Sequence, residues 1–144
     1  MPITLSTTPP TDGQLRVINI SWNMANREPN QEDIQKILDT YPAGTVADLI
    51  VVSCQEETRI RKNGLASKLM NGIGFTGTLG DHNRKTHNTF TGGSPGQISL
   101  TVLSNLNPAP TVQFDEYWDP KMKKASFLNK GRIQPILPSH IALQ

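Results

Sequence analysis

The sequence predicts an α/β protein, and three observations carry that prediction. Two short apolar runs rich in β-branched residues, Leu15 to Ile20 and Asp48 to Cys54, each read as a strand. Between them Ile34, Ile37 and Leu38 have the i, i+3, i+4 spacing of one helix face. Later, Ile98-Ser99-Leu100-Thr101-Val102-Leu103 alternates as a half-buried strand does. Strand, helix, strand in that order makes a parallel pair whose C-terminal ends share one edge.

Taken in order, residues 1–13 carry Thr, Ser and Pro-Pro and read as a flexible leader, so the folded domain is expected over 14–144. The first strand runs from about Leu15 to Ser21, and Asn26-Arg27-Glu28-Pro29 is a loop. Asn30 is placed to cap the helix, with Glu32 and Asp33 in its first turn, where the dipole favours negative charge. Tyr41-Pro42-Ala43-Gly44 ends that helix. Leu49 to Cys54 is apolar nearly throughout, as a central strand covered on both faces would be. Thr58 to Met70 reads as a basic helix or two helical turns, and Ile73 to Leu79 as a short strand. Gly80 to Gly96 is polar, without periodicity, and reads as a long loop. Thr111 to Tyr117 is a further strand, followed by a basic loop, Lys121 to Lys124.

At 144 residues the chain is one domain's worth. Its net charge of +2 is too small to point to nucleic acid. A single cysteine, Cys54, excludes an internal disulfide and suits a buried thiol. No apolar stretch reaches the roughly 18 residues of a membrane span, and the start lacks a signal peptide's apolar core. The expected location is cytoplasmic, or outside after export without a cleaved signal.

The chemistry gathers at the ends of the first two strands. Trp22-Asn23-Met24 closes one and Gln55-Glu56-Glu57 the other, so Asn23 and Glu56 are expected side by side at the open edge of the sheet. An amide oxygen and a carboxylate together can seat a hard cation such as Mg²⁺. Glu56 is the candidate metal-binding carboxylate, with a solvated strand-end acid as its plainer reading. Asn23 either positions a phosphate or water, or ends its strand in an Asx turn. Gln55 and Trp22 read as local hydrogen bonding and packing, and Glu57 as a spectator. His82 and His87 read as surface residues.

With Asn129-Lys130-Gly131, these motifs resemble the endonuclease/exonuclease/phosphatase superfamily and are most similar to its inositol polyphosphate 5-phosphatase branch. The resemblance runs from about Leu15 to Arg132, and Arg132 departs from it, since a small residue is usual there. It implies the N-terminal half of a DNase I-like four-layered α/β sandwich, with a mixed sheet and helices on one face. It further implies Mg²⁺-dependent hydrolysis of a phosphate monoester on an inositol phosphate or phosphoinositide. Glu56 and Asn23 would serve the metal and catalysis, and Asn129 and Lys130 the substrate phosphate.

The resemblance is partial. The second half of the family's site uses a Gly-Asp-x-Asn motif and a closing Ser-Asp-His. Gly80-Asp81-His82-Asn83 has the letters of the first but comes too early, and Ser-Asp-His does not occur. Ser139-His140 lies too close to Gly131 to stand in for a later family segment. Residues that act as a unit lose catalysis together, which puts turnover by this chain in doubt. A half sandwich also leaves a sheet face to cover, so a homodimer or a partly unstable chain is expected. Two other readings stay open: a non-catalytic module that binds phosphoinositides at a peripheral membrane surface or binds a protein, and a nuclease-like member. Weak net charge counts against the nuclease.

Overall fold

The computed structural model describes residues 2–60, 62, 64–91, 94–118 and 131–136. The elements are β1 (Ile3–Leu5), β2 (Val17–Asn23), α1 (Gln31–Asp39), β3 (Thr45–Ala47), β4 (Leu49–Glu57), α2 (Leu65–Ile73), β5 (Arg84–Thr91), β6 (Ser94–Leu103), β7 (Gln113–Trp118) and β8 (Gly131–Ile136). The protein is a mixed α/β structure. Its main sheet has the order β2-β4-β6-β5, with two-stranded β1-β3 and β7-β8 ribbons beside it. β2 and β4 are parallel, and β4, β6 and β5 are successively antiparallel. No helix of the described residues is long and apolar enough to cross a membrane.

The local reasons are those read from sequence for the first half. Asn30 caps α1 as part of a capping box. Its Oδ1 accepts from Asp33 N at 2.8 Å, while Asp33 Oδ2 accepts from Asn30 N at 3.1 Å. Ile34 and Leu38 then face the core. α2 begins without a side-chain cap from Gly64 and ends at Gly74 in the left-handed region. On one face of the sheet, Ile50, Val52 and Cys54 pack with Ile34 and Leu38 of α1 and Leu65, Leu69 and Ile73 of α2. On the other, Leu49, Val51, Leu100, Val102 and Leu106 form a smaller cluster against Leu15, Val112 and Phe114. The residues of α1 and α2 thus belong to one side. The apolar centre of the opposite face is buried by the chain's own connection into β7.

Several expectations are corrected. The leader is not loose throughout: Ile3 and Leu5 are buried, and β1 pairs with β3 in parallel. Two apolar positions in a three-residue strand give too short a pattern to register beside Thr, Ser and Pro. Ile73 ends α2 rather than opening a strand, because it continues the Leu65, Leu69, Ile73 stripe. The polar stretch from Gly80 to Gly96 is mostly β5 and the start of β6, a hairpin rather than a loop. Its polarity misled because Arg84 turns inward to a buried carboxylate instead of to water. The expected basic loop at Lys121 to Lys124, together with Asn129, Lys130 and His140, lies outside the described residues.

Candidate functional site

The parallel pair brings Asn23 and Gln55 into register at the C-terminal edge of the sheet. Beyond it the chain folds back on β4. Met24 N donates to Gln55 O at 2.8 Å, Asn26 N to Glu56 O at 2.7 Å, and Arg27 N to Met24 O at 3.0 Å. Asn23 Oδ1 accepts from Ala25 N at 3.0 Å, which closes an Asx turn. This turn needs a left-handed backbone at Ala25 (φ 52°) and Asn26 (φ 58°). Asn tolerates that region; alanine does so at a cost.

The end of β4 is irregular. Cys54 pairs with Ser99, but Glu57 pairs with Gln97, so β4 spends one residue more than β6 over the same interval. This is a β-bulge, and Glu56 within it sits at φ 51°. Strict alternation would put Cys54 and Glu56 on one face. The extra residue gives that inward place to Glu57 and leaves Glu56 half-buried at the rim.

Glu57 is therefore no spectator. Its Oε1 accepts from Ser99 Oγ at 2.7 Å, Arg84 Nη2 at 2.9 Å and Gln97 Nε2 at 3.2 Å. Its Oε2 accepts from Leu65 N at 3.1 Å and so supplies the cap that Gly64 cannot give α2. Glu57 and Arg84 side chains are each only 1% exposed. Burial pushes the Glu57 carboxyl up. The Ser99 hydroxyl, the Arg84 charge, the Cys54 thiol and the Leu65 amide outweigh it and hold the group below its ordinary value. The same burial, with the Glu57 charge beside it, raises the Cys54 thiol far above its usual range. That thiol is inert at neutral pH.

Around the rim, Arg59 Nε donates to Gly96 O at 3.0 Å. Any side chain at Gly96 would collide with Asn26 Oδ1. That oxygen is buried and has no hydrogen-bond donor among the described residues. In the sequence Asn26 reads as a loop residue, and its position just past Asn23-Met24 is the signal it offers.

Of the four expected site residues, the structure brings Asn23 and Glu56 to one edge, and Asn129 and Lys130 lie outside the described residues. Gln55 Nε2 donates to Ser53 Oγ at 3.3 Å, a local role. Among the described residues, no group of three or more His, Cys, Asp or Glu side chains could hold a metal ion. Glu57 is committed to Arg84, which leaves Glu56 as the acid of its strand end without a salt bridge among the described residues. One half-buried carboxylate beside the Asn23 strand end is a donor set that would leave a cation most of its water. It does not fit a closed protein cage. Compared with protein-family models, with curated proteins and with solved structures, the chain matches none.

Proposed function

We propose that this chain carries the first half of a phosphoesterase site of the endonuclease/exonuclease/phosphatase type, in the manner of the inositol polyphosphate 5-phosphatases, on the first half of a DNase I-like sandwich. The observation that carries this reading is the convergence of strain at one edge. Among the described residues, Ala25, Asn26 and Glu56 are the non-glycine residues with positive φ, and hydrogen bonds from Met24 and Asn26 tie the two strand ends together there. Backbone strain of this kind costs on the order of 1–3 kcal/mol per residue and collects at functional sites. The C-terminal edge of parallel strands is also where α/β sheets bind ligands.

In this reading Glu56 would hold a Mg²⁺ that keeps most of its water, and Asn23, on the neighbouring strand, would help position the phosphate or a water. The bulge sets Glu56 at the rim, and the buried Glu57 junction fixes the bulge. Mg²⁺, when bound, neutralises charge on the phosphoryl oxygens. Lys130 and Asn129 would meet the substrate phosphate as charge and amide donor.

The test is titration of the 144-residue chain with inositol hexakisphosphate, with and without Mg²⁺, beside Glu56→Ala, while free phosphate is followed. The expected result is Mg²⁺-dependent binding, weakened about tenfold or more in Glu56→Ala. Release should stay at background, since no Ser-Asp-His segment is present to activate water. Binding that ignores both Mg²⁺ and Glu56 would sink the proposal. Release that vanishes with Glu56 would mean the site is complete as it stands.

A further inference from the structure

β2 is an edge strand of the main sheet, and its outer side has no partner strand among the described residues. Met24 N and Arg16 O both bond toward β4. Backbone groups alternate in direction along a strand, so residues 18, 20 and 22 also turn inward. The N–H and C=O groups of Val17, Asn19, Ser21 and Asn23 therefore point away from the sheet.

Exposed edges are normally blunted by a lysine, a proline, a bulge or an inward charge. The β2 segment, Val17-Ile18-Asn19-Ile20-Ser21-Trp22-Asn23, has no charged residue and no proline, and its register with β4 is unbroken over seven residues. An unprotected strand of this length is a template for another strand.

The segment is also matched to itself. Consider two copies laid antiparallel about a two-fold axis through Ile20. Val17 then meets Asn23 and Asn19 meets Ser21, which are the residues whose backbone groups point outward. These become the hydrogen-bonded pairs, about eight bonds in all from four outward donors per copy. Ile18 meets Trp22 and Ile20 meets its own copy in the closer, non-hydrogen-bonded positions. That places apolar beside apolar on the helix-covered face, where Ile18 and Trp22 are only partly buried at present. The other face pairs small polar side chains with one another, apart from Val17, which is 40% exposed. No like charges meet. A residue slip would break both matches at once.

We infer that β2 is a homodimerisation edge: two copies of this chain join antiparallel through Val17 to Asn23, extending the four-stranded sheet across the axis. The interface is isologous and closed, as a two-fold contact must be. Because the strands run oppositely, the two Asn23–Glu56 edges lie at opposite ends of the shared sheet.

The test uses the full chain over roughly a hundredfold range of concentration, by sedimentation velocity and by amide hydrogen exchange. The expected result is a rise to twice the monomer mass. With it, the Val17, Asn19, Ser21 and Asn23 amides gain protection as concentration increases, while those of Ile18, Ile20 and Trp22 are protected throughout. Asn19→Pro removes one outward donor and leaves the β2–β4 ladder whole, and Ser21→Lys adds the missing edge charge. Each should return the chain to monomer with unchanged far-UV circular dichroism. A wild-type monomer at every concentration overturns the inference. So does a dimer that survives both substitutions in folded protein. Protection of the outward amides that does not vary with concentration overturns it too, since the edge is then filled within one chain. If either variant misfolds, exchange on the wild type decides alone.

Discussion

β4 has a buried carboxylate at each end, and an arginine meets both, yet the two ends are built for different tasks. At its start Asp48 clips β2 to β4. Arg16 N donates to Asp48 Oδ2 at 2.7 Å, Arg16 Nε and Nη2 form a fork at 3.1 and 2.9 Å, and Asp48 N donates back to Arg16 O at 2.8 Å. The acid is fully buried, but the Arg16 side chain is half exposed. At the far end Glu57 and Arg84 are both buried, and the carboxylate also serves β6 and the first turn of α2. The first pair is a two-strand clasp open to water; the second is a junction of four elements. A solvent-facing clasp can loosen locally, whereas a buried junction fails as a unit. The difference shows why the candidate site lies where it does: the strained bulge at Glu56 rests on the end of the sheet that cannot give way.

Removing each arginine breaks the symmetry most sharply. Arg84→Met leaves Glu57 charged and dry, and the expected loss is about 3–5 kcal/mol. Arg16→Ala costs about 1–2 kcal/mol, because water reaches the vacated side and the Arg16 backbone amide still serves Asp48. Urea unfolding at constant slope measures both. Equal losses would mean that the Glu57 junction is no more cooperative than the clasp.

Acid sharpens the same contrast. Both carboxyls are held below their ordinary values, Glu57 against the pull of burial and Asp48 likewise, through the side-chain and backbone hydrogen bonds of Arg16. In the unfolded chain each takes up its proton at a higher pH than in the fold. The unfolded state therefore binds more protons in that window, and stability falls as pH falls. The contribution is fully present above the ordinary values of 4.5 for Glu57 and 3.8 for Asp48 and disappears as pH drops through the folded ones. Urea midpoints taken from neutral pH downward should be flat and then decline. In Arg84→Met the part of the decline due to Glu57 should shrink, since less holds its proton off. An unchanged acid profile in that variant would remove the Arg84 charge from the account.

How much of this could be read from sequence depends on what hid each part. The strand, helix, strand opening was legible, because β-branched runs and an Asn-capped amphipathic helix state their own geometry. β5 was not. Its inward residue Arg84 answers to Glu57, twenty-seven residues earlier, so a polar pattern concealed a buried face. The site was half legible. Asn23 and Glu56 reach a common edge, but a period of two cannot foresee a bulge, and the bulge is what turns Glu57 into the core and keeps Glu56 at the rim.

The smallest expected effect tests that placement directly. Glu56 holds φ 51° without glycine's freedom, and neither salt bridge nor buried network compensates it among the described residues. A left-handed backbone costs an L-residue roughly 1–2 kcal/mol. Glycine escapes that strain and gives some of it back as unfolded-state entropy. Glu56→Gly should therefore stabilise the fold by about 0.5–1 kcal/mol while abolishing the Mg²⁺-dependent binding of inositol hexakisphosphate. Glu57→Gly, one residue on, should cost several times as much in the other direction, because it orphans Arg84 and uncaps α2. A residue retained at a cost in stability, next to one retained for stability, is the pattern a functional site leaves in a sheet. If Glu56→Gly destabilises instead, the strain at the bulge belongs to the fold, and the case for Glu56 as a ligand loses its main physical support.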